Sequence, residues 1–81
     1  MYDTASWERI PAMNGFEFEK RVKKLARRQG VPCYFANHGK GSHGRLYVGS
    51  RFATLKDRRK EISKGLLAAL CKQLDIHMND L

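Results

Sequence analysis

Apolar positions recur at helical spacing in two stretches of the chain. In the first, Phe18, Val22, Leu25 and Ala26 share one face, and Lys20, Arg21, Lys23, Lys24, Arg27 and Arg28 cover the rest. Asn14 is a good N-cap, Glu17 follows three residues later as in a capping box, and Gly30 suits the position just past the helix end. The spacing predicts a helix that stops near Gln29. The second helix starts near Ser63, carries Leu66, Leu67, Leu70, Cys71 and Leu74 on one face, and ends at Asp75. Between the helices lie three short runs that read as strands, at 31–36, 45–48 and 51–55. Pro32 points to an edge strand or a late start. Residues 37–42, NHGKGS, are turn-like, and Gly49-Ser50 is a short hairpin signal. Residues 56–60 form a charged loop.

The order is therefore helix, three strands, helix, an α+β arrangement. Antiparallel neighbours leave one sheet face for both amphipathic helices, and the opposite face stays open to solvent or to a partner. Residues 1–13 show no clear period and read as an N-terminal extension to a domain at 14–81. Trp7 and Ile10 in that extension either dock on the domain or bind a partner.

Composition narrows the function classes. A chain of 81 residues allows one domain, too small for an enzyme with its own cofactor fold. No apolar run approaches the about 18 residues of a membrane span. Two cysteines far apart fit a reducing cytoplasm better than a disulfide scaffold. Lys and Arg number 16 against 8 Asp and Glu, a formal net charge of +8, which makes a polyanion the first partner to consider.

Phosphate-loop spacing and a nucleophile elbow are missing, and no close carboxylate pair is well placed for two-metal phosphate chemistry. Cys33, His38 and His43 are spaced C-x4-H-x4-H, with Cys71 or His77 as a fourth metal ligand. Structural zinc sites use tighter pairs, and a strand cysteine is more often core than ligand. His43 stands where the glycine-rich loop meets a strand, flanked by Gly41, Ser42 and Gly44. Small neighbours let a phosphate approach. An imidazole can take a proton from a ribose 2′-hydroxyl or give one to a departing oxygen. RNA carries its own internal nucleophile, so scission needs alignment, proton transfer and charge stabilisation rather than a metal. Lys40 and Arg45 are cations close by for the last task. The bland alternatives are a solvated loop histidine and a solvated basic surface.

The stretch Lys40-Gly41-Ser42-His43, followed by Lys60-Glu61-Ile62-Ser63-Lys64-Gly65-Leu66-Leu67 and Leu70-Cys71-Lys72-Gln73-Leu74-Asp75-Ile76, resembles the HicA family of bacterial toxins. The resemblance covers residues 14–76. It implies an mRNA-cleaving toxin (an mRNA interferase) of a type II toxin–antitoxin system, held inactive by a HicB-type antitoxin. It also implies a fold like that of double-stranded-RNA-binding domains. The family's essential histidine maps onto His43, and Gly41 and Ser42 onto the residues leading into it. The chain departs from the family at Gly44, where many members have a second histidine. It departs again at Leu55-Lys56-Asp57-Arg58, where many carry Pro and His, and at Asp75, which replaces a glycine. Any second proton-transfer group is then left to His38 or Lys40.

The expectation is a cytoplasmic endoribonuclease that needs no metal or cofactor and acts on mRNA. His43 is its acid/base, Lys40, Gly41, Ser42 and Arg45 surround the phosphate, and cations such as Lys56 and Arg58 dock the RNA backbone without reading sequence. The alternative is a non-catalytic module that binds double-stranded RNA by shape. Fold alone does not separate the two; the His43→Ala phenotype does.

Overall fold

A computed structural model describes residues 12–39 and 43–81. Helix α1 spans Gly15–Gln29 and helix α2 spans Lys64–Leu74. Between them run β1 (Cys33–Asn37), β2 (Gly44–Val48) and β3 (Arg51–Leu55), and a short 3-10 turn, Met78–Asp80, follows α2. The α+β order expected from the pattern is the order observed. Among the described residues, no helix is long and apolar enough to cross a membrane.

Local chemistry fixes the helix ends. Asn14 Oδ1 accepts from Glu17 N–H at 2.9 Å, and Ser63 Oγ accepts from Leu66 N–H at 3.2 Å. The Glu17 carboxylate, instead of completing a capping box, pairs with Arg21 one turn on at 3.0 Å. Gly30 ends α1 in the left-handed region at φ 70°, and Val31 N–H donates to the Ala26 carbonyl at 2.9 Å. Asp75 takes the same left-handed conformation, φ 56°, at the end of α2, and Ile76 N–H donates to the Cys71 carbonyl at 2.9 Å. Both helices thus close in the Schellman pattern, with Gly30 and Asp75 as the left-handed residues.

The sheet is antiparallel in the order β1-β2-β3. Its register sets Phe35 opposite Leu46, Tyr34 opposite Tyr47, and Leu46 opposite Ala53. Because directly paired residues project to one face, Leu46, Val48, Ala53 and Leu55 all turn to the helix side. There they meet Phe18, Val22 and Ala26 of α1 and Leu67, Leu70, Cys71 and Leu74 of α2 in one cluster. Both helices cover the same sheet face. Gly49 opens the β2–β3 hairpin at φ 60°, a backbone region that glycine enters without steric cost.

Several placements depart from the sequence expectation. β1 begins at Cys33 rather than at 31, since the Val31 N–H is taken by the α1 cap and Pro32 has none to give. Met13, assigned above to the extension, is buried in the core, and its carbonyl accepts from Ile62 N–H at 2.8 Å. Trp7 and Ile10 lie outside the described residues. Leu66, expected on the buried face of α2, is 50 % exposed. The stripe Leu67, Leu70, Cys71, Leu74 already fills the i, i+3, i+4, i+7 face, and Leu66 stands one residue off it.

Gly44 is where backbone meets side chain most tightly. A Cβ there would strike the Ala36 carbonyl oxygen and come within 2.6 Å of the Phe35 ring. Gly44→Ala is therefore expected to cost about 1–3 kcal/mol through overpacking. Thermal unfolding checks this: a drop in Tm of at least about 4 °C is expected for a domain of this size.

Candidate functional site

The alternation that buries Leu46 and Val48 turns Arg45 and Tyr47 to the opposite, open face. On that face Tyr34 and Phe52 flank Tyr47, while Ala36 and Thr54 flank Arg45. His43 comes one residue before β2, on the same side by alternation, and is exposed. His38 N–H donates to the His43 carbonyl at 3.0 Å, which extends the β1–β2 pairing by one step. The two histidines thus sit directly opposite each other across the hairpin mouth, both exposed. Directly opposed positions hold their Cβ atoms about 4.5–5.5 Å apart, close enough for two imidazoles to serve one phosphodiester.

Lys56 follows Leu55, the β3 partner of Gly44, and is exposed at the same end of the sheet. Arg45 is exposed near the middle of the open face, its guanidinium 4.7 Å from the Phe52 ring centroid. Among the described residues neither Lys56 nor Arg45 has a carboxylate partner, and no acidic residue stands on the open face. Of the sequence-predicted site, then, His43 and Arg45 lie on one face, with His38 added to them, whereas Lys56 lines a cleft with Leu66 and Leu70 of α2. Lys40, Gly41 and Ser42 lie outside the described residues.

Arg58 is a correction. It was expected to dock RNA, but its side chain is only 15 % exposed and its Nη1 donates to Glu19 Oε1 at 2.7 Å. Its guanidinium lies 3.8 Å from the Phe35 ring centroid and 4.6 Å from that of Phe16. Its carbonyl accepts from Phe16 N–H, satisfying a free donor in the first turn of α1. Arg58 is thus built into the joint between α1, β1 and the loop after β3, and its charge is committed to Glu19. Sequence spacing could not show this, because the partner lies 39 residues away.

The C-x4-H-x4-H spacing does not bring Cys33, His38 and His43 together. Cys33 pairs with Val48 on the helix side, packed against the core, whereas His38 follows the alternation to the other face. Among the described residues no group of three or more His, Cys, Asp or Glu is placed to share an ion. Burial pushes the Cys33 thiol up and takes Cys71 up to about 11, so both remain protonated core thiols at neutral pH.

The open face is a surface rather than a pocket. A cleft of about 500 Å³ lies between α1 and the C-terminal turn, and one of about 290 Å³ lies beside the end of α2. Neither is lined by His43. An open face with exposed histidines and Arg45 suits a polymer laid across it better than a small molecule enclosed by it.

The Glu19 ion pairs give this joint a pH dependence. Burial alone would raise the Glu19 carboxyl. Hydrogen bonds and charge from Lys23 and Arg58 outweigh that and hold it below the ordinary value of 4.5. A depressed carboxyl stabilises the fold fully above its unfolded value and loses that contribution as pH falls through the lowered folded value. Acid unfolding of the wild type should therefore steepen below pH 4.5, and Glu19→Gln should flatten that limb while lowering Tm at neutral pH. Thermal melts from neutral to acid pH read both effects; an unchanged acid limb in the variant would remove Glu19 from the account of stability.

Compared with protein-family models, with curated proteins and with solved structures, the chain matches none of them.

Proposed function

We propose that this protein is an RNA-cleaving toxin of the HicA kind, an endoribonuclease whose acid/base is His43. The observation that carries the reading is the pair His43 and His38. Both are exposed on opposed positions at the mouth of the β1–β2 hairpin, beside a cationic sheet face free of carboxylates among the described residues. The helix–sheet–helix order agrees with the double-stranded-RNA-binding-domain-like fold that the resemblance implies.

The chemistry follows from the geometry. One imidazole takes the proton of the ribose 2′-hydroxyl, and the oxygen attacks the adjacent phosphorus. The other protonates the leaving 5′-oxygen, so the 2′,3′-cyclic phosphate and the free 5′-hydroxyl form with protons balanced. In this reading His43 is the essential group and His38 the second one, in the place that Gly44 cannot fill because it faces the Phe35 ring. Arg45, Lys56 and Lys40 supply positive charge toward the phosphate as it gains negative charge. The nucleophile comes with the substrate, so these residues need no metal to generate one. The same face, covered by an acidic antitoxin of the HicB type, would be silenced, since one cationic surface serves both partners.

Expression of wild type and of His43→Ala, with sizing of cellular RNA, tests the proposal. Growth arrest and fragmented transcripts are expected from the wild type only. With purified protein, His43→Ala should lower the cleavage rate at least about 100-fold, and His38→Ala should lower it less, with the fold and RNA affinity kept in both. RNA left intact by the wild type, with affinity for duplex RNA retained, would favour the non-catalytic double-stranded-RNA-binding module instead.

A further inference from the structure

We propose that the aromatic row Tyr34–Tyr47–Phe52 is a stacking platform for unpaired bases, so that the polymer taken by the open face is single-stranded RNA rather than duplex. This rests on the reading of that face as an RNA-cleaving surface and adds the substrate class.

The row crosses all three strands at one level. Tyr34 and Tyr47 stack with ring centroids 4.9 Å apart and planes 13° from parallel, and Phe52 follows at 5.7 Å with its plane tilted 42°. β1 is an edge strand, so Tyr47 covers one side of the Tyr34 ring and, among the described residues, no strand covers the other. Tyr34 remains 54 % exposed and Phe52 44 %. An unpaired base laid on Tyr34 extends the existing Tyr34–Tyr47 stack by a third ring. A base inside a duplex has both faces covered by its neighbours and cannot do this.

Charge selects the occupant. Arg45, stacked on Phe52, stands between this row and the histidine pair. No carboxylate interrupts the face among the described residues. Aromatic rings beside cations of one sign fit a strand that carries both bases and phosphates. The row lies about 13 Å along β2 from His43, four residues at strand rise. The platform therefore holds a base near the cut rather than at it, and its residues position the strand without touching the reacting atoms.

The test is binding by fluorescence anisotropy with short 2′-O-methyl RNA, which lacks the nucleophile and cannot be cut. Three probes are compared: the single strand, the same strand annealed to its complement, and an abasic sugar-phosphate strand of equal length. The wild type should bind the single strand about tenfold more tightly than either of the others. Tyr34→Leu should remove that margin while leaving the abasic affinity unchanged, and Tyr34→Phe, which keeps the ring, should retain it. Equal affinity for single strand and abasic strand, tighter binding of the duplex, or a margin that survives Tyr34→Leu would each overturn the inference. Equal affinity would leave the aromatic row to a protein partner. Cleavage is not read in this assay. A protein that shows the margin yet never cuts RNA loses the nuclease reading alone, and one that cuts RNA yet shows no margin loses only the platform.

Discussion

The register of the β1–β2 hairpin is the constraint on which the rest depends. Side chains alternate along a strand with period two, so a slip of one residue would exchange the two faces. Leu46 is fully buried opposite Phe35 and Ala53, and that single placement carries Arg45, Tyr47 and His43 to the other side. Gly44 pins the register from within, since only a residue without a Cβ fits between the Ala36 carbonyl and the Phe35 ring. What makes the core and what makes the candidate site are two consequences of one alternation.

The cations divide along the same line. On α1, Arg21 and Lys23 pair with Glu17 and Glu19 one turn earlier, and Arg21 and Arg28 donate to the Leu81 and Asp80 carbonyls. Such helix pairs stabilise by only about 0.3–0.5 kcal/mol each, but they commit those charges to the fold. Arg58 is committed more fully, between two aromatic rings and against Glu19. Arg45 and Lys56 have no such engagement with a carboxylate among the described residues, and Arg45 stands on the open face. Net charge alone points to a polyanion; the geometry removes Arg58 from the charges free to meet it, while Lys20, Lys24 and Arg27 on α1 also lack a carboxylate partner among the described residues.

The helices were readable because their signals are local. Asn14, Gly30 and Ser63 act on groups within a few residues of themselves, and the apolar stripe of α1 repeats within four. His43 could be singled out for the same reason, from its small neighbours in the chain. What could not be read depends on partners distant in sequence. The burial of Arg58 needs Glu19, the burial of Met13 needs the strand-like pairing with Ile62, and the Tyr34–Tyr47–Phe52 row needs the register of two hairpins. A signal for the row was present all the same. Once Gly49-Ser50 is taken as a two-residue hairpin, Tyr47 and Phe52 must pair, and the open face is half aromatic before any coordinate is known. The exposure of Leu66 had no comparable signal, since one helical stripe cannot say how wide a face its neighbours will cover.

That an open-face imidazole works on a ribose 2′-hydroxyl is tested most directly by removing the hydroxyl. An RNA is cut by the purified wild-type protein, the site is mapped, and a single 2′-deoxy nucleotide is placed immediately before the broken bond. Cutting should vanish at that bond and persist at other sites, with cyclic phosphate ends on the products of the unmodified strand. Undiminished cutting at the deoxy position would contradict the mechanism, because the nucleophile would then have come from somewhere other than the substrate.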